Sequence, residues 1–289
     1  MSKILVTGGS GKLGRAVLKD LVAHGYDVLN LDQQALPEAI CPSIRVDLTN
    51  FGEVAAAILG GVDERTGPFD AVVHLAAIPA PGLAANARTF ANNVPTTYNV
   101  FEASRLAGIK NIVFASSETV LGLPFDTPPP YAPVDEEYYP RPESAYSLGK
   151  LLDETMAAQF CRWDPELRIV GLRFSNVMNP DDYTAFPKFD ADPQARKWNL
   201  WGYIDARDGA QAVRRSIQAD FKGFEAFIIA NADTVMSRSN MSLLAEVFPT
   251  VPTKGNLTTN GTLLSIEKAK RMLGFSPQFS WRNEVAGRS

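Results

Sequence analysis

The feature that most restricts the fold lies near the start of the chain. A short apolar run, Lys3–Thr7, leads into Thr7-Gly-Gly-Ser-Gly-Lys-Leu-Gly14 and then into helical periodicity over Leu13–His24. Gly8, Gly11 and Gly14 permit a tight turn, close backbone approach to a pyrophosphate, and close packing of helix on strand. Ser10, Lys12 and Leu13 lie among them, where exposed amides and the helix dipole favour phosphate. A glycine pattern alone is weak, but strand, glycines and helix in that order give it meaning.

The same alternation continues downstream. Strands are expected at Asp27–Asp32, Ile44–Asp47, Ala71–Ala76, Asn111–Ser116 and Arg168–Phe174, and the clearest later helices at Thr89–Ala107 and Ser144–Cys161. Continuous apolar strands separated by helices predict an α/β fold with a doubly wound, Rossmann-like parallel sheet. Ligands then bind at the carboxyl ends of the strands. After Asn176 the alternation stops. Asn179 to Asn199, rich in Pro, Asp and aromatic residues, reads as loops. Asp205–Ala219 reads as a helix, Ala226–Ala230 as a returning strand, and Ser239–Val247 and Ser265–Leu273 as short helices. The expected division is a dinucleotide-binding domain over 1–175, with 204–232 returning to it. Residues 176–203 and 233–289 form a small C-terminal substrate-binding lobe. The proline-rich stretch Leu123–Pro142 reads as a surface excursion or, because it ends at the helix carrying Tyr146, as a lining of the substrate entrance.

Composition excludes several classes. Acids and bases are interspersed at a net charge of -4, without a nucleic-acid stripe or membrane patch. No run approaches the ~20 apolar residues that span a bilayer, and the first residues are too briefly apolar for a signal peptide. Cys41 and Cys161 lie far apart, which argues against a disulfide framework and for a cytoplasmic location. With only His24 and His74, no metal site is expected.

The chemistry-bearing residues follow from this frame. Asp32 ends the second strand eighteen residues past Gly14, where a carboxylate accepts from ribose hydroxyls and repels a 2′-phosphate. Gln33 and Gln34 follow it with no arginine, which favours NAD over NADP; Lys12, near the phosphates, is the one reservation. Asp47 either reaches an adenine amino group or caps the next helix. Tyr146 and Lys150 stand four apart and share a helix face, so the ammonium is expected to lower the phenol pKa. Ser117, near the end of the fifth strand, brings a hydroxyl to the same sheet edge.

Together these pieces resemble an extended short-chain dehydrogenase/reductase of the NAD-dependent epimerase/dehydratase family. The resemblance rests on the glycine stretch, Asp47-Leu48, His74-Leu-Ala-Ala77, Asn92-Asn-Val94, Ser116-Ser117, Tyr146/Lys150, Leu172-Arg-Phe-Ser-Asn176 and the tail Ser265–Pro277. It implies NAD as cofactor, a Tyr146 acid/base, a Lys150 that binds the nicotinamide ribose, and a Ser117 that orients substrate. It implies that Leu48, Leu75, Ala76, Ala77, Asn93 and Ala115 lie along the cofactor, and that Glu118 and Asn176 face the substrate. It also implies a homodimer through a four-helix bundle of Thr89–Ala107 and Ser144–Cys161.

Two departures narrow the reading. Where dehydratases of this family carry an acid pair, this chain has Glu118 and Thr119, which disfavours simple dehydration. Where nucleotide-sugar epimerases carry an arginine, it has Leu200-Trp201-Gly202, with Arg196 nearby. The expected function is hydride transfer at a secondary alcohol of a sugar or sugar derivative. The alternatives are a dehydrogenase of a sugar acid without a nucleotide, as in uronate dehydrogenases, and a non-catalytic NAD-binding sensor.

Overall fold

The computed structural model describes residues 1–60 and 68–286; residues 287–289 of the expected second lobe lie outside them. In chain order the elements are β1 (Lys3–Thr7), α1 (Lys12–Ala23), β2 (Asp27–Asp32), β3 (Ser43–Arg45), α2 (Phe51–Ile58), β4 (Ala71–His74), α3 (Asn86–Leu106) and β5 (Asn111–Ser117). They continue with α4 (Ala145–Trp163), β6 (Arg168–Phe174), β7 (Val177–Met178), β8 (Ile204–Asp205), α5 (Ala206–Gln218), β9 (Gly223–Ile229), α6 (Asn240–Val247), α7 (Glu267–Leu273) and α8 (Trp281–Ala286).

Seven strands form one parallel sheet in the order β3-β2-β1-β4-β5-β6-β9. Strand order reverses between β1 and β4, which opens a crevice at their carboxyl ends. The expected doubly wound Rossmann-like architecture is therefore present. Ile4, Leu5, Val6 and Val72, Val73 are fully buried, as strands covered on both faces require. One apolar core takes in Ile4 and Val17 together with Trp201, Leu243 and Trp281 from the later segments. Helix α5 packs on α1, where Arg214 Nε donates to Asp20 Oδ2 at 2.7 Å.

Several boundaries differ from the sequence reading. The third strand stops at Arg45 rather than Asp47, α2 is the helix expected to follow it, and α8 has no counterpart in the sequence reading. Asn50 caps α2, its side chain accepting from Gly52 and Glu53 amides, so Asp47 is not the cap. Residues 180–191 and 193–199 are 3₁₀-helical rather than loops. Their aromatic rings explain it: Phe186 packs against Tyr183, Tyr203 and Trp281 and holds the turns down. The proline-rich stretch is no surface excursion. The amides of Ala132 and Val134 donate to the carbonyls of Pro252 and Leu263, and Leu123, Phe125, Ala132 and Val134 are buried.

At the outer edge of the sheet the Ile228 amide of β9 donates to Glu136 Oε1 at 2.8 Å, and Lys268 Nζ donates to the Ala226 carbonyl at 2.8 Å. Among the described residues no helix is long and apolar enough to cross a membrane.

Candidate active site

Four strand ends and the start of α4 build the site. The turn after β1 is tight: a Cβ on Gly8 would stand 2.5 Å from the Ala76 amide nitrogen, and one on Gly14 2.2 Å from the Gly8 carbonyl. Gly11 is different, because a Cβ there would meet only the Gly8 carbonyl, at 3.4 Å. Protein packing does not demand glycine at that position, so its bareness keeps space at the head of α1. The amides of Gly8, Gly9, Ser10 and Gly11 are already taken, by Leu31 O, Asn30 Oδ1, Asp32 Oδ2 and Gly8 O. The amides of Lys12 and Leu13 open the first turn of α1, and the N-cap, Gly11, supplies no side-chain acceptor. Helix dipole and free donors together suit a phosphate ester.

Asp32 closes β2 with both oxygens engaged, Oδ2 by the Ser10 amide at 2.9 Å and Oδ1 by the Gln34 amide at 3.0 Å. This fixes the carboxylate beside the glycine turn, where ribose hydroxyls can share it. Arg45 lies opposite Asp32 in the strand register and donates from Nε to the Gln33 carbonyl at 2.9 Å. The chain therefore does bring an arginine to this end, which a reading of neighbours in sequence missed. Lys12 is paired with Asp182 at 2.9 Å and so ties the glycine turn to the 3₁₀ segment.

Asp47 accepts from the Thr49 amide and hydroxyl and from Gln33 Nε2, and these bonds, Thr49 first, hold its pKa below the usual range. Leu48 is buried, its carbonyl taken by Asn99 Nδ2 at 3.0 Å. Leu75, Ala76 and Ala77 are half-buried just past β4, beside Gly8. Asn93 turns both amide ends onto Ile78, at 2.9 and 3.0 Å, and so shapes the loop that follows.

The reactive groups converge at the carboxyl end of β5. Ser144 caps α4 and sets the helix in which Tyr146 and Lys150 face the same way, only 7% and 3% exposed. Lys150 Nζ donates to the Ala115 carbonyl at 2.7 Å. The Ser117 hydroxyl lies beside the buried Tyr146 phenol and accepts from Thr119 Oγ1 at 2.9 Å. Burial holds the phenol above the ordinary tyrosine range, while Lys150 and then Ser117 pull it back. The expected lowering is thus reversed in the protein alone: desolvation of the phenolate outweighs the lysine charge.

A second cluster lies next to Ser117, and only Glu118, Asn176 and Arg196 of it were singled out by sequence. Glu118 Oε1 accepts from Asn199 Nδ2 at 3.2 Å, and Ser175 and Asn176 lie close enough to pull its pKa down. Burial pushes its pKa up to about 7, against the pull of Ser175, Asn199 and the Arg196 charge. Among the described residues, Glu118 Oε2, Ser175 Oγ, Arg196 Nε and Asn199 Oδ1 are buried without a hydrogen-bond partner. Asn199 comes from a distant segment and carries no local signal, whereas Ser175 lies within the Leu172–Asn176 stretch. Arg196 Nη2 donates to the Gly202 carbonyl at 2.9 Å, and its guanidinium lies 4.9 Å from the Trp198 ring. Trp201 is fully buried and donates from Nε1 to the Pro193 carbonyl at 2.9 Å.

Glu118 makes stability pH-dependent. A carboxyl whose folded pKa exceeds its unfolded value stabilises the fold below both values, and stability falls as pH rises between them. From the ordinary value of 4.5 to about 7, the folded state keeps the proton that the unfolded state has lost. Glu118→Gln is therefore expected to gain stability relative to the parent as pH rises from about 5 to 8. Thermal melts across that range read it, and a gain independent of pH would refute it.

The model of the NAD dependent epimerase/dehydratase family matches residues 4–230. A bifunctional UDP-glucose 4-epimerase and UDP-xylose 4-epimerase from Pisum sativum is 31% identical over 214 residues, which cover 70% of this chain and 59% of that protein. The chain thus spans about three fifths of such relatives. A UDP-galactose 4-epimerase crystal structure superposes at a TM-score of 0.70, with 25% identity, over 98% of this chain and 96% of that one. A short-chain dehydrogenase/reductase superfamily protein from Agrobacterium tumefaciens with bound NAD superposes at 0.73, with 22% identity, over 99% and 95%. Fold, glycine turn and the matched span lead to one conclusion: the chain belongs to the NAD-dependent epimerase/dehydratase family.

Proposed function

We propose that the chain transfers hydride between NAD and a secondary alcohol of a sugar or sugar derivative, with Tyr146, Lys150 and Ser117 as the reacting constellation. NAD is the cofactor of the family. The bare head of α1, the Lys12 and Leu13 amides and the Asp32 carboxylate suit its pyrophosphate and ribose. When bound, NAD supplies the acceptor for the carbinol hydride and, in its oxidised form, a positive charge. Tyr146 takes the hydroxyl proton, Ser117 steadies the developing oxyanion, and Lys150 favours the phenolate. The observation that carries this reading is the convergence of buried Tyr146, Ser117 and Lys150 at the sheet's carboxyl edge, with Lys150 one turn from Tyr146 and held by the Ala115 carbonyl. Asp47, Leu48, Leu75, Ala76, Ala77 and Ala115 are assigned to the cofactor's path, and Asn93 to shaping that path.

A substrate without a nucleotide is favoured over a nucleotide sugar. The charge of Arg196 faces Glu118, and the place of an epimerase's nucleotide-holding arginine is filled by the buried Trp201. A mutated uronate dehydrogenase superposes at a TM-score of 0.66 with 22% identity, a likeness of fold alone. Following NAD reduction across free sugars, sugar acids and nucleotide sugars tests both readings. Turnover confined to nucleotide sugars sinks the second; the absence, in every class, of both net NAD reduction and an epimerised product by NMR sinks the first. A homodimer is assigned to the outward faces of α3 and α4, where Tyr98, Leu106, Leu148 and Trp163 are exposed. A light-scattering mass of one chain would refute it.

A further inference from the structure

Beside Ser117 the interior holds polar atoms that nothing in the protein satisfies. Of the eight buried side-chain nitrogen and oxygen atoms without a hydrogen-bond partner among the described residues, four belong to one cluster: Glu118 Oε2, Ser175 Oγ, Arg196 Nε and Asn199 Oδ1. Orphaned polar groups cost stability, so four together ask for a reason. The cluster is held in place by its other atoms. Asn199 Nδ2 donates to Glu118 Oε1 at 3.2 Å and to the Gly202 carbonyl at 2.9 Å, and Arg196 Nη2 donates to that same carbonyl at 2.9 Å. A Cβ on Gly202 would stand 3.0 Å from Ser175 Oγ, so glycine there keeps room beside the serine. The cluster sits at the reacting end: Glu118 directly follows Ser117, and its charge bears on Tyr146.

The chemistry of the four atoms selects a ligand. Both amide hydrogens of Asn199 are spent, which fixes its Oδ1 as an acceptor, and the ionised Glu118 Oε2 is a second acceptor. Arg196 Nε offers one N–H, and the Ser175 hydroxyl both donates and accepts. A carboxylate or phosphate only accepts, and would meet two like acceptors. A sugar hydroxyl donates and accepts, and so matches the set. Charge points the same way: the Glu118 carboxylate faces the Arg196 guanidinium and withholds it from an anionic ligand.

We propose that Glu118, Ser175, Arg196 and Asn199 form the subsite that receives the hydroxyl groups of a neutral sugar and excludes sugar acids. The proposal rests on the reading of Tyr146 and Ser117 as a sugar-oxidising site and narrows its substrate class. All four side chains are buried, so the hydroxyls enter as the 3₁₀ turn 193–199, which carries Arg196 and Asn199, moves outward. A water molecule trapped in the cluster is the competing occupant.

The test compares glucose and galactose with glucuronate and galacturonate at about pH 8, above the value of about 7 to which burial lifts Glu118. Turnover is read as NAD reduction or as epimerised product by NMR, and binding by calorimetry in NAD-loaded Tyr146→Phe protein. The neutral sugars are expected to be preferred. Ser175 Oγ has no protein partner, so Ser175→Ala leaves the melting temperature in place, yet it is expected to weaken neutral-sugar binding roughly tenfold. Glu118→Gln frees the Arg196 charge and is expected to shift the ratio of sugar-acid to neutral-sugar affinity by roughly 10- to 100-fold toward the acid. Preference of the parent for the sugar acids overturns the proposal, as does binding of neither class. Unchanged neutral-sugar affinity in Ser175→Ala makes the occupant water only and overturns it too. So does an effect of Glu118→Gln on both classes alike. Binding with the expected responses but no turnover leaves the subsite standing and fails the hydride-transfer reading instead.

Discussion

Tyr146→Phe is expected to lower hydride transfer by roughly 10²- to 10⁴-fold, the usual range for a positioned acid/base, while NAD binds with unchanged affinity. The phenol is buried against Ser117 and Lys150, so removing one oxygen deletes the proton acceptor and leaves the ring's packing. Stopped-flow NADH absorbance reads the first quantity and equilibrium titration the second. Turnover at the parental rate would remove Tyr146 from the mechanism. A parallel loss of NAD affinity would mean that the hydroxyl serves binding rather than proton transfer.

The second large effect is on stability. Arg173 and Glu154 form a buried two-bond pair with side-chain exposures of 6% each, and Ser116 Oγ donates to Glu154 Oε1 at 2.6 Å. Arg173→Met leaves that carboxylate buried and unpaired, at a cost of roughly 3–5 kcal/mol. The double variant Arg173→Met/Glu154→Leu is expected to recover most of it, because two apolar groups need no partner. Urea unfolding of parent, single and double variants checks both statements. Equal destabilisation in single and double variants would show that packing, not charge, is at stake.

What the sequence made legible was what is local. The glycine turn, Asp32 at the end of β2, and the Tyr146–Lys150 spacing are each set within one βα unit or one helix, so periodicity and turn chemistry suffice to find them. The parallel, doubly wound class followed from continuous apolar runs alternating with helices for the same reason. What stayed hidden depends on pairing across long separations. Lys12 meets Asp182 from the far side of the chain, Arg45 reaches the Asp32 end by strand register, and Glu118 meets Asn199. The direction of the Tyr146 shift failed similarly: spacing reveals the favourable charge, whereas the opposing desolvation is a property of the closed fold.

The treatment of β9 bears on behaviour at high concentration. An open strand edge offers unpaired amides and carbonyls to any extended segment of another molecule. Here Glu136 and Lys268 occupy the Ile228 amide and the Ala226 carbonyl, and the opposite border is the three-residue β3. Ordered growth of the sheet from one molecule to the next is thereby blocked at both borders. The vulnerable species is a partly opened one in which Glu136 has swung away and β9 is left as a template for aggregation.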